Sequence, residues 1–302
     1  MCLQQSFVWS LISRRSRFQT GTRFFARGSD RNGNAANFCE TEQVVEHEGK
    51  VASFVQTRGS MPFYWSQLPC IKYMPTPKVV GTDAENRAAM TAHFHEQSAF
   101  YGEQVIINLI NQKKYEGVLE QAFRQLTSSL GQADVHYEAF DFHKECSKMR
   151  YDRLVLLKDQ LSQYAFGYFQ KTKGAVNLTQ VRTKAIPARQ YAFSTFSSQR
   201  GVFRTNCMDC LDRTNVVQAY LAADVLAKIL SSWGVLNTDS VAELERNEAF
   251  LKVYRNSWAD HANLISVQYA GTGALKTDFT RTGMRSHYGV LQVQLKLKLI
   301  IF

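Results

Sequence analysis

Cysteine is scarce in this 302-residue chain, and apart from one pair it is scattered. Cys2, Cys39, Cys70, Cys146, Cys207 and Cys210 are too few and too far apart for the disulfide framework of a small secreted domain, so a reducing compartment is expected. Long apolar runs are lacking too: nothing approaches the roughly 18 consecutive apolar residues of a membrane span. Acidic residues are missing from two places. None precedes Asp30, and none lies between Gln160 and Met208. Over the whole chain 36 Lys and Arg face 26 Asp and Glu, a net charge of +10. That excess suits a polyanionic partner (nucleic acid, anionic membrane or a phosphorylated ligand) and does not choose among them. No tandem repeat is visible.

What is present divides by texture. The acid-poor start, with Arg14, Arg15, Arg17, Arg23 and Arg27, has the composition of a mitochondrial transit peptide. Yet "FVWSLISRRSRF" running into "GTRFFARG" alternates like strands joined by tight turns. The runs "TRFFARG", "EQVVEHEG" and "KVASFVQTRG" read as strands, "DRNGNAANF" as a turn, and Pro69, Pro75 and Pro77 as an extended linker. From Thr82 the pattern changes. A helix capped by Thr82 or Asp83 precedes a buried strand, "EQVIINLIN". "GVLEQAFRQLTSSLG" follows as an amphipathic helix with Val118, Leu119, Ala122, Phe123 and Leu126 on one face, closed by Gly131. "VHYEAFDFH" is a second strand and "MRYDRLVLLKDQLSQYAF" another helix. The alternation predicts an α/β core. The acid-free stretch holds Lys171, Lys173, Arg182, Lys184, Arg189, Arg200 and Arg204 and reads as a solvated basic loop or as an electropositive approach to an anionic site. A long helix, "NVVQAYLAADVLAKIL", and a last one ending at Gly271 complete the pattern.

Between the strand "VFRTN" and that long helix lies "CMDCLDRT". Cys207 and Cys210 form a Cys-x-x-Cys pair, half of a zinc site or a thioredoxin-like dithiol, but structural zinc needs a second Cys or His pair and none has the spacing. The same residues spell Cys-x5-Arg. Five intervening residues let successive backbone N–H groups converge on a phosphoryl group, the following helix aims its N-terminus at the same point, and Arg213 offers a planar fork of donors. Such surroundings lower the pKa of Cys207, whose thiolate would attack phosphorus. Thr214 is placed to bond the sulfur and cap the helix. Asp209 and Asp212 are the candidates for general acid and base, with Asp209 first. Cys210 is a small buried residue or an oxidation partner of Cys207. The spacing alone is common by chance; its place between strand and helix gives it weight.

The longer string "RTNCMDCLDRTN" resembles the signature of the Sac-domain phosphoinositide phosphatases. The likeness continues through "ARGSDRNGNAANFCETEQ", "ASFVQTRGSMPFYWSQ", "YGEQVIINLINQK", "AFDFHKECSKMRYDRL" and "NSWADHANLISVQYAGTGALKTDFTRTG", in order. It implies a Sac-type α/β core, a central mixed β-sheet flanked by helices with the Cys-x5-Arg loop between strand and helix. It also implies a metal-independent, cofactor-free phosphatase acting at membranes on phosphatidylinositol monophosphates, chiefly phosphatidylinositol 4-phosphate. The nucleophile falls on Cys207, the phosphate-binding arginine on Arg213 and the loop aspartate on Asp209. Met208, Cys210, Leu211, Asp212, Thr214 and Lys276 are the expected substrate contacts. Members of the most similar type sit on the cytosolic face of the endoplasmic reticulum and Golgi. Three departures qualify the likeness: a missing N-terminal subdomain, a longer and more basic stretch from Asn177 to Gln199, and a tail, "VLQVQLKLKLIIF", off the family pattern. The expectation is a partial Sac catalytic domain over 1–289 and a divergent tail over 290–302, without the family's membrane spans. A catalytically inactive module that binds anionic membrane is the alternative.

Overall fold

The computed structural model describes residues 6–68, 75–164, 166–173, 193–275, 277 and 281. Ten strands and seven α-helices are set along them. The first half contains β1 (Val8–Arg15), β2 (Cys39–His47), β3 (Lys50–Arg58), the short pair β4 (Trp65–Ser66) and β5 (Lys78–Val79), α1 (Asp83–Tyr101), β6 (Glu103–Asn108), α2 (Gly117–Ser128) and β7 (Val135–Ala139). Then come α3 (Phe142–Glu145), α4 (Leu154–Leu161), β8 (Phe169–Lys173), β9 (Phe193–Ser197), β10 (Gly201–Asn206), α5 (Asp212–Ser232), α6 (Val241–Glu245) and α7 (Glu248–Ala270).

One mixed eight-stranded sheet organises the chain, with the path β1-β2-β3-β10-β6-β7 and the β8–β9 hairpin attached to β3. β1, β2 and β3 pair antiparallel, whereas β3, β10, β6 and β7 run parallel. The parallel strands β6 and β10 are buried almost throughout because helices cover both faces. Their carboxyl ends therefore share one edge, the usual place for a site in such a sheet. α5 packs on the sheet partly through polar contacts: Gln43 and Gln56 donate to the carbonyls of Ala222 and Gln218, and Gln218 donates back to the carbonyl of Thr57. These buried side-chain-to-backbone bonds hold the helix in register where apolar packing alone would tolerate sliding.

Several local expectations hold. Thr82 caps α1 in a capping box with Glu85, and α7 ends at Gly271 in the left-handed conformation. Others are corrected. "TRFFARG" is not a strand. The Phe25 and Ala26 amides close back on the Thr22 carbonyl and the Arg23 amide donates to the Tyr269 carbonyl on α7, so these three amides serve a turn and not a ladder. Val118 is exposed, because it lies one residue, about 100° of helix rotation, off the buried Leu119–Phe123–Leu126 stripe. α2 stops at Ser128, before Gly131. The helix expected from Met149 begins only at Leu154, since Lys148 and Met149 have φ of 55° and 63°.

Gly33 illustrates how tightly the N-terminal turn is seated. Its φ is +83°, and a Cβ there would lie 2.5 Å from the His93 amide nitrogen on α1. Gly33→Ala is expected to cost about 2–4 kcal/mol in urea unfolding, because both the backbone conformation and the close approach are lost. An unchanged urea midpoint would contradict that seating.

Candidate active site

β10 delivers the loop 207–211 to the carboxyl edge of the sheet, and α5 starts at Asp212, which places Arg213 in its first turn. Cys210 takes a left-handed φ of 52°, curling the loop back toward the strand. A cavity of about 350 Å³ opens above it, walled by Cys207, Met208, Asp209, Leu211, Asp212 and Arg213. The opposite walls come from the N-terminal turn (Arg23, Phe24, Arg27), the loop after β6 (Tyr115, Glu116), the loop after β7 (His143) and the segment after α7 (Thr272, Gly273, Leu275).

Burial pushes the Cys207 thiol toward neutrality. The hydrogen bond with Cys210, the charge of Arg213 and the Thr214 hydroxyl, 3.5 Å from the sulfur, outweigh it and hold the pKa at about 5. Cys210 responds in the opposite sense: burial and the neighbouring Cys207 sulfur drive its pKa well up, so it stays a thiol and donates. One member of the pair is thus a thiolate at neutral pH and the other a thiol. Alkylation of Cys207 by iodoacetamide, followed by peptide mapping, is expected to rise with pH to a plateau with a midpoint near 5. A midpoint near the free-thiol value of about 8.5 would remove this assignment.

Arg213 has a partner that the sequence did not announce. Its Nη2 donates to Glu116 Oε1 at 2.8 Å, and its Nη1 to Glu116 Oε2 and to the Leu109 carbonyl, each at 3.1 Å. Glu116 is fully buried and also accepts from the Asn111 amide at 2.6 Å and the Tyr115 hydroxyl at 3.1 Å. Burial opposes its ionisation, but Arg213, the Asn111 amide and the Tyr115 hydroxyl together hold the carboxyl below the usual range. The pair fixes the plane of the guanidinium beside Cys207.

Asp209 faces two arginines. Arg27, itself buried, donates from Nη1 to Asp209 Oδ1 at 2.5 Å and to the Met208 carbonyl at 2.8 Å, and from Nη2 to Gln67 at 2.6 Å. Arg23 lies 3.4 Å from Asp209 Oδ2. Against the penalty of burial, Arg27 and then Arg23 keep the Asp209 carboxyl below its ordinary value, so it is ionised in this state. Asn37 binds the Asp209 carbonyl. Beneath the loop Arg58 is fully buried, donates to Asn215, and lies within electrostatic reach of Cys39, Cys210 and Cys207.

Of the residues singled out from the sequence, Cys207, Met208, Asp209, Leu211, Asp212 and Arg213 meet at the cavity. The Asp212 carboxylate accepts from the Leu275 amide at 3.1 Å, tying the loop to the segment after α7. Two side chains stand elsewhere than expected. Cys210 and Thr214 are buried behind the wall, where they serve the Cys207 sulfur. Thr214 does not cap α5, whose N-cap position is Leu211, because the helix starts two residues earlier. Lys276, the linker 69–74, most of the stretch 177–199 and the tail 290–302 lie outside the described residues. The described part of the basic stretch does not approach the cavity. Lys171 pairs opposite Val51 and Arg200 precedes β10, both at the amino end of the sheet, about 20 Å of strand from the loop. Arg204 is buried, bonded to His93 and the Ser60 carbonyl. Among the described residues, the arginines and lysines that face the cavity are Arg23, Arg27 and Arg213. Glu116 carried one usable signal, a carboxylate in the loop leaving a buried strand, just ahead of the glycine that opens a helix.

Among the described residues no group of three or more His, Cys, Asp or Glu has the geometry of a metal site, and no helix is long and apolar enough to cross a membrane. Comparison with known proteins adds three findings. Residues 1–147 match the SacI homology domain. The chain is 49% identical over 287 residues to a phosphatidylinositol-3-phosphatase SAC1-A of Danio rerio, covering 94% of this chain and 45% of that protein. It is 43% identical over 291 residues to the SAC1 phosphatase of Saccharomyces cerevisiae (93% and 44% covered), and 38% identical over 286 residues to the phosphatidylinositide phosphatase SAC2 of Homo sapiens (95% and 23% covered). The chain thus spans less than half the length of these relatives.

Proposed function

Since this chain belongs to the SacI homology domain family, we propose that its cavity removes phosphate from phosphoinositide headgroups, with Cys207 as nucleophile and Arg213 as the ligand of the phosphoryl oxygens. The observation that carries the proposal is a buried thiol of pKa about 5, set beside a guanidinium at the start of a helix. In the first step the Cys207 thiolate attacks phosphorus, an S–P bond forms, the P–O bond to the inositol breaks, and the leaving oxygen takes up a proton. In the second, water attacks phosphorus, loses a proton to a base, and displaces the thiolate as inorganic phosphate leaves. Asp209 remains the first candidate for the proton transfers. Held ionised by Arg27 and Arg23, it is ready for the base step. The acid step requires the negative charge of bound phosphate to raise its pKa.

Phosphatidylinositol 4-phosphate is the proposed preferred substrate, and the 3-phosphate is the competing one that the relatives' names suggest. Phosphate release from short-chain 3-, 4- and 5-monophosphates, with and without chelator, tests the reaction and the position together. The expected result is release that chelator leaves unchanged, fastest with the 4-phosphate, and acid-quenched enzyme carrying a phosphoryl group on the Cys207 peptide. Vesicle binding without release would select the inactive lipid-binding module instead.

A further inference from the structure

The chemistry above needs a source for one proton, the one that the departing inositol oxygen takes up. Most titratable groups on the cavity wall suit another task. Asp209 is held ionised by Arg27 and Arg23. Glu116 is fully buried and held ionised by Arg213. The Tyr115 hydroxyl is given to Glu116, and burial together with that carboxylate pushes its pKa up. Asp212 acts as an acceptor, from the Leu275 amide. That leaves His143, the histidine on the cavity wall among the described residues. It stands in α3, just after β7, and α3 is firmly seated. Asp141 caps it, accepting from the Lys144 amide at 3.1 Å and from the Gln112 amide at 3.2 Å, and Phe142 is buried in the apolar cluster that also holds Cys207. His143 Nδ1 lies 2.8 Å from Asn111 Oδ1. The Asn111 amide in turn donates to Glu116, the carboxylate that holds Arg213. The imidazole and the phosphate-binding guanidinium thus hang on one short segment, 111–116.

We propose that His143 is the general acid of the first step and Asp209 the base of the second, a division that rests on the cavity's reading as a phosphatase site. Asn111 Oδ1 can only accept, so His143 Nδ1 carries a hydrogen, and the proton that the ring gains and gives up is the one on Nε2. Giving it up leaves the Asn111 bond intact, so the ring keeps its orientation through the step. Imidazole exchanges such a proton near neutral pH, whereas a carboxylate facing two guanidiniums does not. As the P–O bond breaks, its electron pair takes the Nε2 proton, and the inositol leaves as an alcohol with His143 neutral. In the second step the attacking water gives its proton to the Asp209 carboxylate, the S–P bond breaks and Cys207 recovers its thiolate. Solvent then returns a proton to His143 and takes one from Asp209, so that ester and water have become alcohol and phosphate.

The test is substitution of sulfur in the leaving group, with the full chain as enzyme. The short-chain phosphatidylinositol monophosphate that wild type hydrolyses fastest is compared with its analogue carrying sulfur at the bridging position, whose thiolate leaves without a proton. Both present the same headgroup, so loss of a mere headgroup contact weakens both alike. His143 is exposed, and His143→Gln is expected to melt at the wild-type temperature. Its kcat should fall about a hundredfold on the oxygen ester and less than about fivefold on the sulfur analogue. Asp209→Asn should instead accumulate a phosphoryl group on the Cys207 peptide after acid quench, since attack proceeds and hydrolysis stalls. Equal losses by His143→Gln on the two substrates, or no loss on the oxygen ester, would overturn the proposal. So would recovery of Asp209→Asn on the sulfur analogue, which would return the acid step to Asp209. Wild-type protein that releases phosphate from neither substrate would refute the phosphatase reading, and this role with it.

Discussion

Cys207→Ser is expected to abolish phosphate release, by about ten-thousand-fold or more, while the protein stays folded. The argument is one of ionisation. The environment that brings the thiol to about 5 uses the hydrogen bond from Cys210, the charge of Arg213 and the Thr214 hydroxyl. A serine hydroxyl is so weak an acid that the same neighbours leave it neutral, and a neutral hydroxyl is a poor nucleophile toward a phosphate monoester. The geometry asks little of stability here, since oxygen replaces sulfur in a site that already contains donors. Binding of substrate analogue should persist, because Arg213 and the backbone of the loop remain. The measurement is single-turnover phosphate release alongside a thermal melt. Turnover within tenfold of wild type would overturn the assignment of the nucleophile.

Glu116→Gln should have the second largest effect. The substitution keeps the shape and removes the charge from a fully buried carboxylate that holds both Nη atoms of Arg213. A purely electrostatic role and a positioning role predict opposite results. If Glu116 merely damped the positive charge of the cavity, its neutralisation would tighten phosphate binding and lower the Cys207 pKa, with turnover kept. If it sets the guanidinium's plane, kcat should fall about a hundredfold without a rise in KM. The bidentate geometry favours the second outcome. Stability should suffer too, by about 3–5 kcal/mol, because a buried charge loses its partner. The pH dependence follows from the sign of the shift. The Glu116 pKa is depressed in the folded protein, so its contribution is complete above the ordinary glutamate value of about 4.3 and is lost as pH falls through the lower folded value. Acid unfolding of Glu116→Gln should accordingly be less steep than that of wild type.

Legibility followed the range of the interactions involved. α1, with its capping box at Thr82 and Glu85, and α7, with its stop at Gly271, were readable because caps are local chemistry. β6 was readable as a short apolar run between polar breaks, and β10 as the strand that precedes the Cys–Arg loop and its helix. "TRFFARG" was misread because its alternation is real but its Phe25 and Ala26 amides bond within the turn and its Arg23 amide bonds Tyr269 of α7, a helix more than two hundred residues away. Lys171 and Arg200, in the described part of the basic stretch before Cys207, were adjacent in sequence and remote in space, since β8 joins β3 at the end of the sheet away from the loop.

The sequence by itself determined the nucleophile candidate, the arginine six residues on, and the strand–loop–helix that carries them, because all are set within a dozen consecutive residues. Tertiary structure decided what those groups meet. Parallel pairing of β10 with β3 and β6 brings three carboxyl ends to one edge, so that the loop after β6 supplies Glu116 to Arg213. The packing of the N-terminal turn on the same edge supplies Arg23 and Arg27 to Asp209. Ionisation states depend on charges and burial contributed by distant segments, and those are distances that no spacing along the chain encodes.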